Sequence, residues 1–405
     1  MPKLLWTNRA NFGPSARKES TMCYDTERSR TVLFGGNRNP DGRNSPLGDT
    51  WEWDGSFWTQ VEDTGPSARS QGCMVYDSAQ KASVLFGGED TAALGDTWQW
   101  DGIDWTKVSE SGPSARSSAA MAFDSARNRS VLFAGQSDNS RLNDTWEFDG
   151  QNWTQQQDIG PPARRSHAMA FDNVSKRVVL FGGMGAGDNS LGDTWAWDGG
   201  EWVQVAEFGP SPRLDTALST AGGSNLILFG GTSGSQPNNV AQILGDTWEF
   251  DGKRWTQRQD IGPSPLQSAA LAFDSGRNRV VLFGGFIGVE GLLANSGLTW
   301  ETSDLSANAS PPVLKLSSIS FPPVVHANVQ TAATFTLSAP APAGGAVILV
   351  SNSLRKPDAS ELFSVTVPFG LLTITVPVAF FDLGSILVTA GLLQPDEIEL
   401  TVFVE

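Results

Sequence analysis

Short apolar runs recur along this chain, each broken by polar, glycine or proline residues. The second unit shows the order: GPSAR (65–69) leads into QGCMVYD, then ASVLFGG, then GDTWQW, then DWTKV. Alternation inside the runs and turn residues between them predict four β-strands per unit. Asp101-Gly102 lies between the third and fourth runs and signals a hairpin, because a tight primed turn needs residues that tolerate φ > 0. The Gly-Pro pairs that open the units begin at 13, 65, 112, 160, 209 and 262, a period of about 50 residues. Such spacing predicts six copies of one four-stranded unit.

A tryptophan opens the fourth run in five units, at Trp58, Trp105, Trp153, Trp202 and Trp255, each seven residues before the next Gly-Pro. The sixth unit stops after its third run, yet Trp6 precedes Gly13 by the same seven residues. The N-terminus is therefore expected to supply the missing outer strand of the last unit. A ring closed in this way leaves no open sheet edge.

The third run carries a near-constant nonapeptide: LGDTWEWDG at 47, LGDTWQWDG at 94, LNDTWEFDG at 142, LGDTWAWDG at 191 and LGDTWEFDG at 244. Six tryptophans head the third strand, and Trp53, Trp100 and Trp197 fill a second column where Phe148 and Phe250 substitute. A buried Trp removes about 150–250 Å² from water, roughly 4–6 kcal/mol gross at ~25 cal/mol/Å². Recurrence in every unit favours packing between units over sugar-stacking platforms. Asp49, Asp96, Asp144, Asp193 and Asp246 stand one per unit, so they do not converge as Ca²⁺ requires. They are expected to hydrogen-bond loop backbone ahead of the third strand.

With VLFGG at 32 and 84, ILFGG at 227, VLFAG at 131 and VVLFGG at 178 and 280, the first 304 residues resemble the Kelch repeat family. The resemblance implies an all-β, six-bladed propeller with four antiparallel strands per blade. A polar, Pro-ended linker is expected over 305–312. From 313 to 405 tryptophan is absent and short alternating runs such as TAATFTLSAP and LLTITVPVAFF recur. About seven strands there have the size of an immunoglobulin-like sandwich, and FTLSAPAPAGGAVILVSNS resembles bacterial Ig-like domains of secreted and surface proteins.

Composition narrows the functions. The net charge of −16 excludes nucleic acid, which needs a basic face. No run approaches the ~18 apolar residues of a membrane helix. Cys23 and Cys73 occupy different columns, so no disulfide is expected between them. The start lacks the apolar core of a signal peptide. The Ig-like resemblance favours an extracellular or cell-surface protein whose signal lies outside this chain, with the cytoplasm as the alternative.

Chemistry is sparse. No GxSxG, HExxH, Walker or dinucleotide fingerprint occurs. The layout is similar to galactose oxidase, whose family builds a copper site from a Tyr–Cys cross-link, a second Tyr and two His. Here the supply is Tyr24, Tyr76, Cys23, Cys73, His167 and His326, without that site's motifs, and no cofactor or metal is expected. The loops entering each blade carry Arg17, Arg69, Arg116, Arg164 and Arg213, with Leu266 in the sixth. They form a candidate anion-binding ring, or else structural partners of carboxylates. Two residues further on, Glu19 and Asp215 are the acidic members of a column otherwise held by Gln71, Ser118, Ser166 and Ser268. They are the candidate acid–base pair at the channel mouth, or else salt-bridge partners of the arginine ring.

The connections between second and third strands differ in every blade, and specificity concentrates in variable loops on a rigid ring. The last, FIGVEGLLANSG (286–297), places Phe286, Ile287, Leu292 and Leu293 on a segment expected to face solvent, an apolar patch of the kind that marks an interface, with the following Ig-like domain and a foreign partner equally open as its occupant. These features point to a non-catalytic binding or assembly protein, using the propeller's loop face to hold a protein or surface polymer, with self-association open. The alternative is an enzyme, or a small-anion or carbohydrate site, at the channel mouth. Loops without aromatics outside the sixth blade weaken the carbohydrate reading.

Overall fold

In the computed structural model each repeat forms one antiparallel sheet whose strands run in chain order from the ring's centre outward. Blade 1 comprises Thr21–Asp25, Arg30–Phe34, Thr50–Trp53 and Trp58–Glu62. Blades 2 to 5 repeat this order. In the sixth sheet Ala270–Asp274, Arg279–Phe283 and Thr299–Thr302 are joined by Trp6–Ala10, antiparallel to the third strand. The innermost strands touch in the sequence of the blades, and the first touches the sixth. The all-β first unit is thus a six-bladed propeller.

The chain divides into Met1–Asn308 and Ala309–Glu405. The structure describes residues 6–404 apart from 11–12, 41–43, 63, 157–158, 207–208, 223–224, 234–241, 259–261, 290–291, 304, 306–315, 322–329, 338–345, 354–360, 368–372, 380–383 and 393–396. The second unit contains seven described strands in two sheets. One orders Leu316–Ser320, Gln330–Leu337 and Thr373–Ala379; the other orders Glu361–Val367, Ala346–Ser353, Gly384–Leu392 and Glu397–Val404.

Why VLF is a continuous apolar run, and not an alternating one, follows from the stacking. The second strand is covered on both faces by neighbouring blades, so Val32, Leu33 and Phe34 are all buried. Strands covered on both faces lose the hydrophobic–polar alternation. The fourth strand lies at the rim, where only its leading Trp58 is buried before Thr59, Gln60 and Val61 turn outward. The Gly-Gly doublet has a steric cause: Gly35 has φ +64°, and a Cβ there would meet the Arg69 carbonyl oxygen of the next blade at 2.5 Å.

Trp58 Nε1 donates to Thr299 Oγ1, Trp105 to Thr50, Trp153 to Thr97, Trp202 to Thr145, Trp255 to Thr194 and Trp6 to Thr247. Each bond reaches from a fourth strand to the third strand of the preceding blade, six in all.

Candidate functional site

The arginine ring proves to be internal. Arg17, Arg69, Arg116, Arg164 and Arg213 are 0–2% exposed. Arg17 Nε donates to the Ser15 carbonyl, Nη1 to the Gly35 carbonyl and Asp49 Oδ1, and Nη2 to Ser15 Oγ and Asp49 Oδ2. That uses all five guanidinium N–H donors. Arg69, Arg116 and Arg213 repeat the set with Asp96, Asp144 and Asp246. Arg164 holds Asp193 likewise, with Pro162 replacing the serine. The expectation that this ring meets anions is corrected: each guanidinium is buried against its own blade's aspartate, leaving nothing to present to a ligand.

The aspartates also differ from expectation. Besides the arginine, each accepts Nε1–H from the tryptophan two residues on, at 2.7 Å in all five blades. Burial pushes their carboxyls up, but the guanidinium bonds and charge and the indole N–H hold them below the usual range. Meanwhile the arginine backbone belongs to the preceding blade: Arg17 N donates to the Ser296 carbonyl, and Gly285 N donates to the Arg17 carbonyl. One residue therefore fastens two blades.

The residues two positions further on line the mouth of the channel. Glu19, Gln71, Ser118, Ser166, Asp215 and Ser268 all have φ between 52° and 59°, the left-handed region that non-glycine residues seldom occupy. Their backbones explain it. Glu19 N donates to Ser268 O, Gln71 N to Glu19 O, Ser118 N to Gln71 O, Ser166 N to Ser118 O, Asp215 N to Ser166 O, and Ser268 N to Asp215 O. Six peptide groups thus form a closed cycle of hydrogen bonds around the axis. Their side chains line a cavity of about 130 Å³ together with Ser20, His167 and Thr216.

Glu19 and Asp215, proposed from sequence as a pair, do share this cavity. Burial raises the pKa of Glu19, Lys18 lowers it and Asp215 raises it further. Burial likewise raises Asp215, against the opposing pull of the Ser166 hydroxyl, Arg165 and Lys18. Lys18 Nζ lies 3.5 Å from Glu19 Oε1 and 5.3 Å from the centre of the Phe286 ring. His167 is 6% exposed, and burial holds its pKa down at about 3, with Arg164 adding to the effect. Neither imidazole nitrogen makes a hydrogen bond of normal geometry among the described residues, although the Phe133 carbonyl lies near enough to favour the protonated ring slightly.

Tyr24, Tyr76 and Cys23 line a separate cavity of about 300 Å³, while His167 lines the mouth. Both cysteines are free and buried. His326 lies outside the described residues.

Around the mouth, among the described residues, two second-to-third-strand connections become hairpins. In blade 6, Phe286–Val289 pairs with Leu292–Asn295. In blade 3 the strands lengthen to Arg129–Ser137 and Ser140–Phe148. Blades 3 and 6 face each other across a six-membered ring, and each hairpin touches the following blade: Arg141 Nη1 donates to the Gly185 carbonyl, and Asn295 Nδ2 to the Asn37 carbonyl. Phe286 and Ile287 are half-buried, where solvent exposure was expected; Ile287 packs on the core cluster around Trp6 and Leu282. Leu292 and Leu293 lie in the returning strand, their side chains outside the described residues. Nothing in QSDNSR (136–141) distinguished the blade 3 extension from the other loops.

Residues 96–285 match a family model described as the KLHDC2/KLHL20/DRC7 Kelch-repeats domain. A solved structure titled "Structure of YjhT" is similar to this chain at 11% identity and a TM-score of 0.56, covering 72% of this chain and 95% of that one. The search of curated proteins found no match. Residues 96–285 thus match Kelch repeats, and the fold around them is that of a six-bladed propeller.

Proposed function

We propose that the propeller is a non-catalytic scaffold that holds a protein partner on its loop face. One observation carries this reading: the backbone of that face repeats from blade to blade, while among the described residues the connections of blades 3 and 6 form strand-paired hairpins on opposite sides of the ring. A rigid floor with distinct walls holds a partner in one orientation without a conformational cost to itself. In this reading the N-terminal strand closes the ring, since Trp6 makes the same indole bond as its five counterparts. The second unit is an Ig-like sandwich serving as spacer, supported by its sheets of three and four strands. In this reading the molecule works outside the cytoplasm, which the resemblance of its C-terminal sequence to bacterial surface modules supports.

The test is affinity capture from native extract, comparing the intact chain with one whose 286–297 segment is replaced by Gly-Ser. A partner held by the first and released by the second is the expected result. Capture that is indifferent to both the 286–297 and the 137–140 replacements would remove the loop face from the interaction.

A further inference from the structure

The mouth cavity is one-sided in charge: among the described residues, Glu19 and Asp215 are its only charged lining groups. Lys18 and Arg165 stand outside the lining, Lys18 against Glu19 and Phe286, Arg165 with Nη2 at 3.4 Å from Met184 Sδ. Independently of the carboxyls, His167 lines the same cavity, nearly fully buried, its ring edge-on to Phe133 with the Phe133 carbonyl beside it, and neither nitrogen makes a hydrogen bond of normal geometry among the described residues. A buried polar group without a partner keeps its desolvation penalty uncompensated, so such a side chain marks a place where a bound group completes the hydrogen bonding. Ser20 Oγ, on the opposite blade, is unpartnered in the same way.

These acceptors come from three blades, Glu19 from the first, His167 from the fourth and Asp215 from the fifth. A planar guanidinium pairs two parallel N–H groups with the two oxygens of one carboxylate and holds its remaining donors in the same plane. An ammonium carries three N–H donors on one centre and reaches its acceptors at about 2.7–3.2 Å. A metal ion would draw ligands to about 2 Å, and no group of three or more His, Cys, Asp or Glu is placed to hold one among the described residues. The desolvation that raises both carboxyl pKa values is offset when a cation enters, and a chain of net charge −16 attracts basic partners at long range.

We propose that the channel mouth receives the ammonium of a lysine side chain presented by the protein partner, with Glu19, Asp215 and His167 as its three acceptors. The source of the ammonium rests on the scaffold reading; the site itself does not. The other blades supply substitutions compatible with the fold: serine holds the Glu19/Asp215 position in blades 3, 4 and 6, and alanine holds the His167 position as Ala119 and Ala269.

The experiment titrates n-butylammonium chloride into the full-length protein by calorimetry, with butanol and tetramethylammonium as ligands lacking the charge or the N–H donors. Saturable binding of butylammonium alone is expected, weakened at least tenfold in Glu19→Ser and in Asp215→Ser and several-fold in His167→Ala, each with an unchanged melting profile at neutral pH. Absence of saturable binding, equal binding of butanol or tetramethylammonium, or binding indifferent to the three variants would overturn the site. Acetylating the lysines of a captured partner then separates the two readings. Capture that survives both acetylation and the Glu19→Ser/Asp215→Ser change leaves the scaffold standing and removes the lysine. Capture lost on acetylation and in that double variant supports both.

Discussion

In the sixth blade the arginine is Leu266 and the residue in the aspartate's place, ahead of Thr299-Trp300, is Leu298. Both members of the ion pair are gone together, and the backbone bonds at those positions persist: Gly231 N still donates to the Leu266 carbonyl, and Gly284 N to the Leu298 carbonyl. A buried pair is costly to break but not to replace whole, because removing one partner leaves the other charge desolvated. Arg116→Leu alone is therefore expected to destabilise the propeller by about 3–5 kcal/mol, seen as a fall in the denaturant midpoint. Arg116→Leu with Asp144→Leu should recover most of that loss. If the double change costs as much as the sum of the singles, the pair does not act as a unit.

The third strand explains why its second tryptophan column alternates with phenylalanine. Glu52 accepts from Arg28 and from Trp100 of the next blade; Glu147 does so from Arg127 and Trp197, and Glu301 from Arg277 and Trp53. Where the preceding strand offers Gln99 or Ala196, the next blade has Phe148 or Phe250. An indole N–H buried without an acceptor is penalised, so tryptophan appears only where the neighbour supplies a carboxylate, while Glu249 faces Thr302 in the sixth blade. Glu147→Ala is expected to cost about 2–3 kcal/mol by stranding the Trp197 N–H and one arm of Arg127. Adding Trp197→Phe, which copies the Ala196/Phe250 combination, should return a measurable part of it. A coupling energy of zero in the double-mutant cycle would count against this account.

At the scale of the whole propeller, acid stability separates groups of opposite sign. His167 has its pKa depressed to about 3, so the unfolded chain binds its proton first as pH falls below about 6.5. Its contribution is complete above that value and is lost progressively down to about pH 3, reaching about 3 kcal/mol at pH 4 at 1.36 kcal/mol per pKa unit. The five aspartates of the ion pairs, lowered in the fold, begin to lose their contribution only near and below the ordinary carboxylate pKa. Glu19 and Asp215, both raised, act the other way and favour the fold as they protonate. His167→Ala should accordingly lose less melting temperature than the parent between pH 7 and 4. Parallel curves would mean that His167 is protonated or partnered in solution.

The alternation of apolar runs, the ~50-residue period and the glycine and tryptophan spacing determined the strands, their grouping into six sheets and the placement of Glu19 and Asp215 on one column, because those features are set within about fifty residues of chain. Contacts between blades were left open. Trp58 finds Thr299 and Trp53 finds Glu301 across more than two hundred residues, and local spacing says nothing about which acceptor waits there. Five repeated arginines read as a binding ring or, as their repetition favours, as internal fasteners; only the depth of each guanidinium, with five donors bonded in four blades and four in Arg164, decided for the second. The unpaired nitrogens of His167 and the cycle of six left-handed peptides are likewise products of closing the ring. Both depend on where six separate strands converge, a geometry that exists only once the sheets have packed.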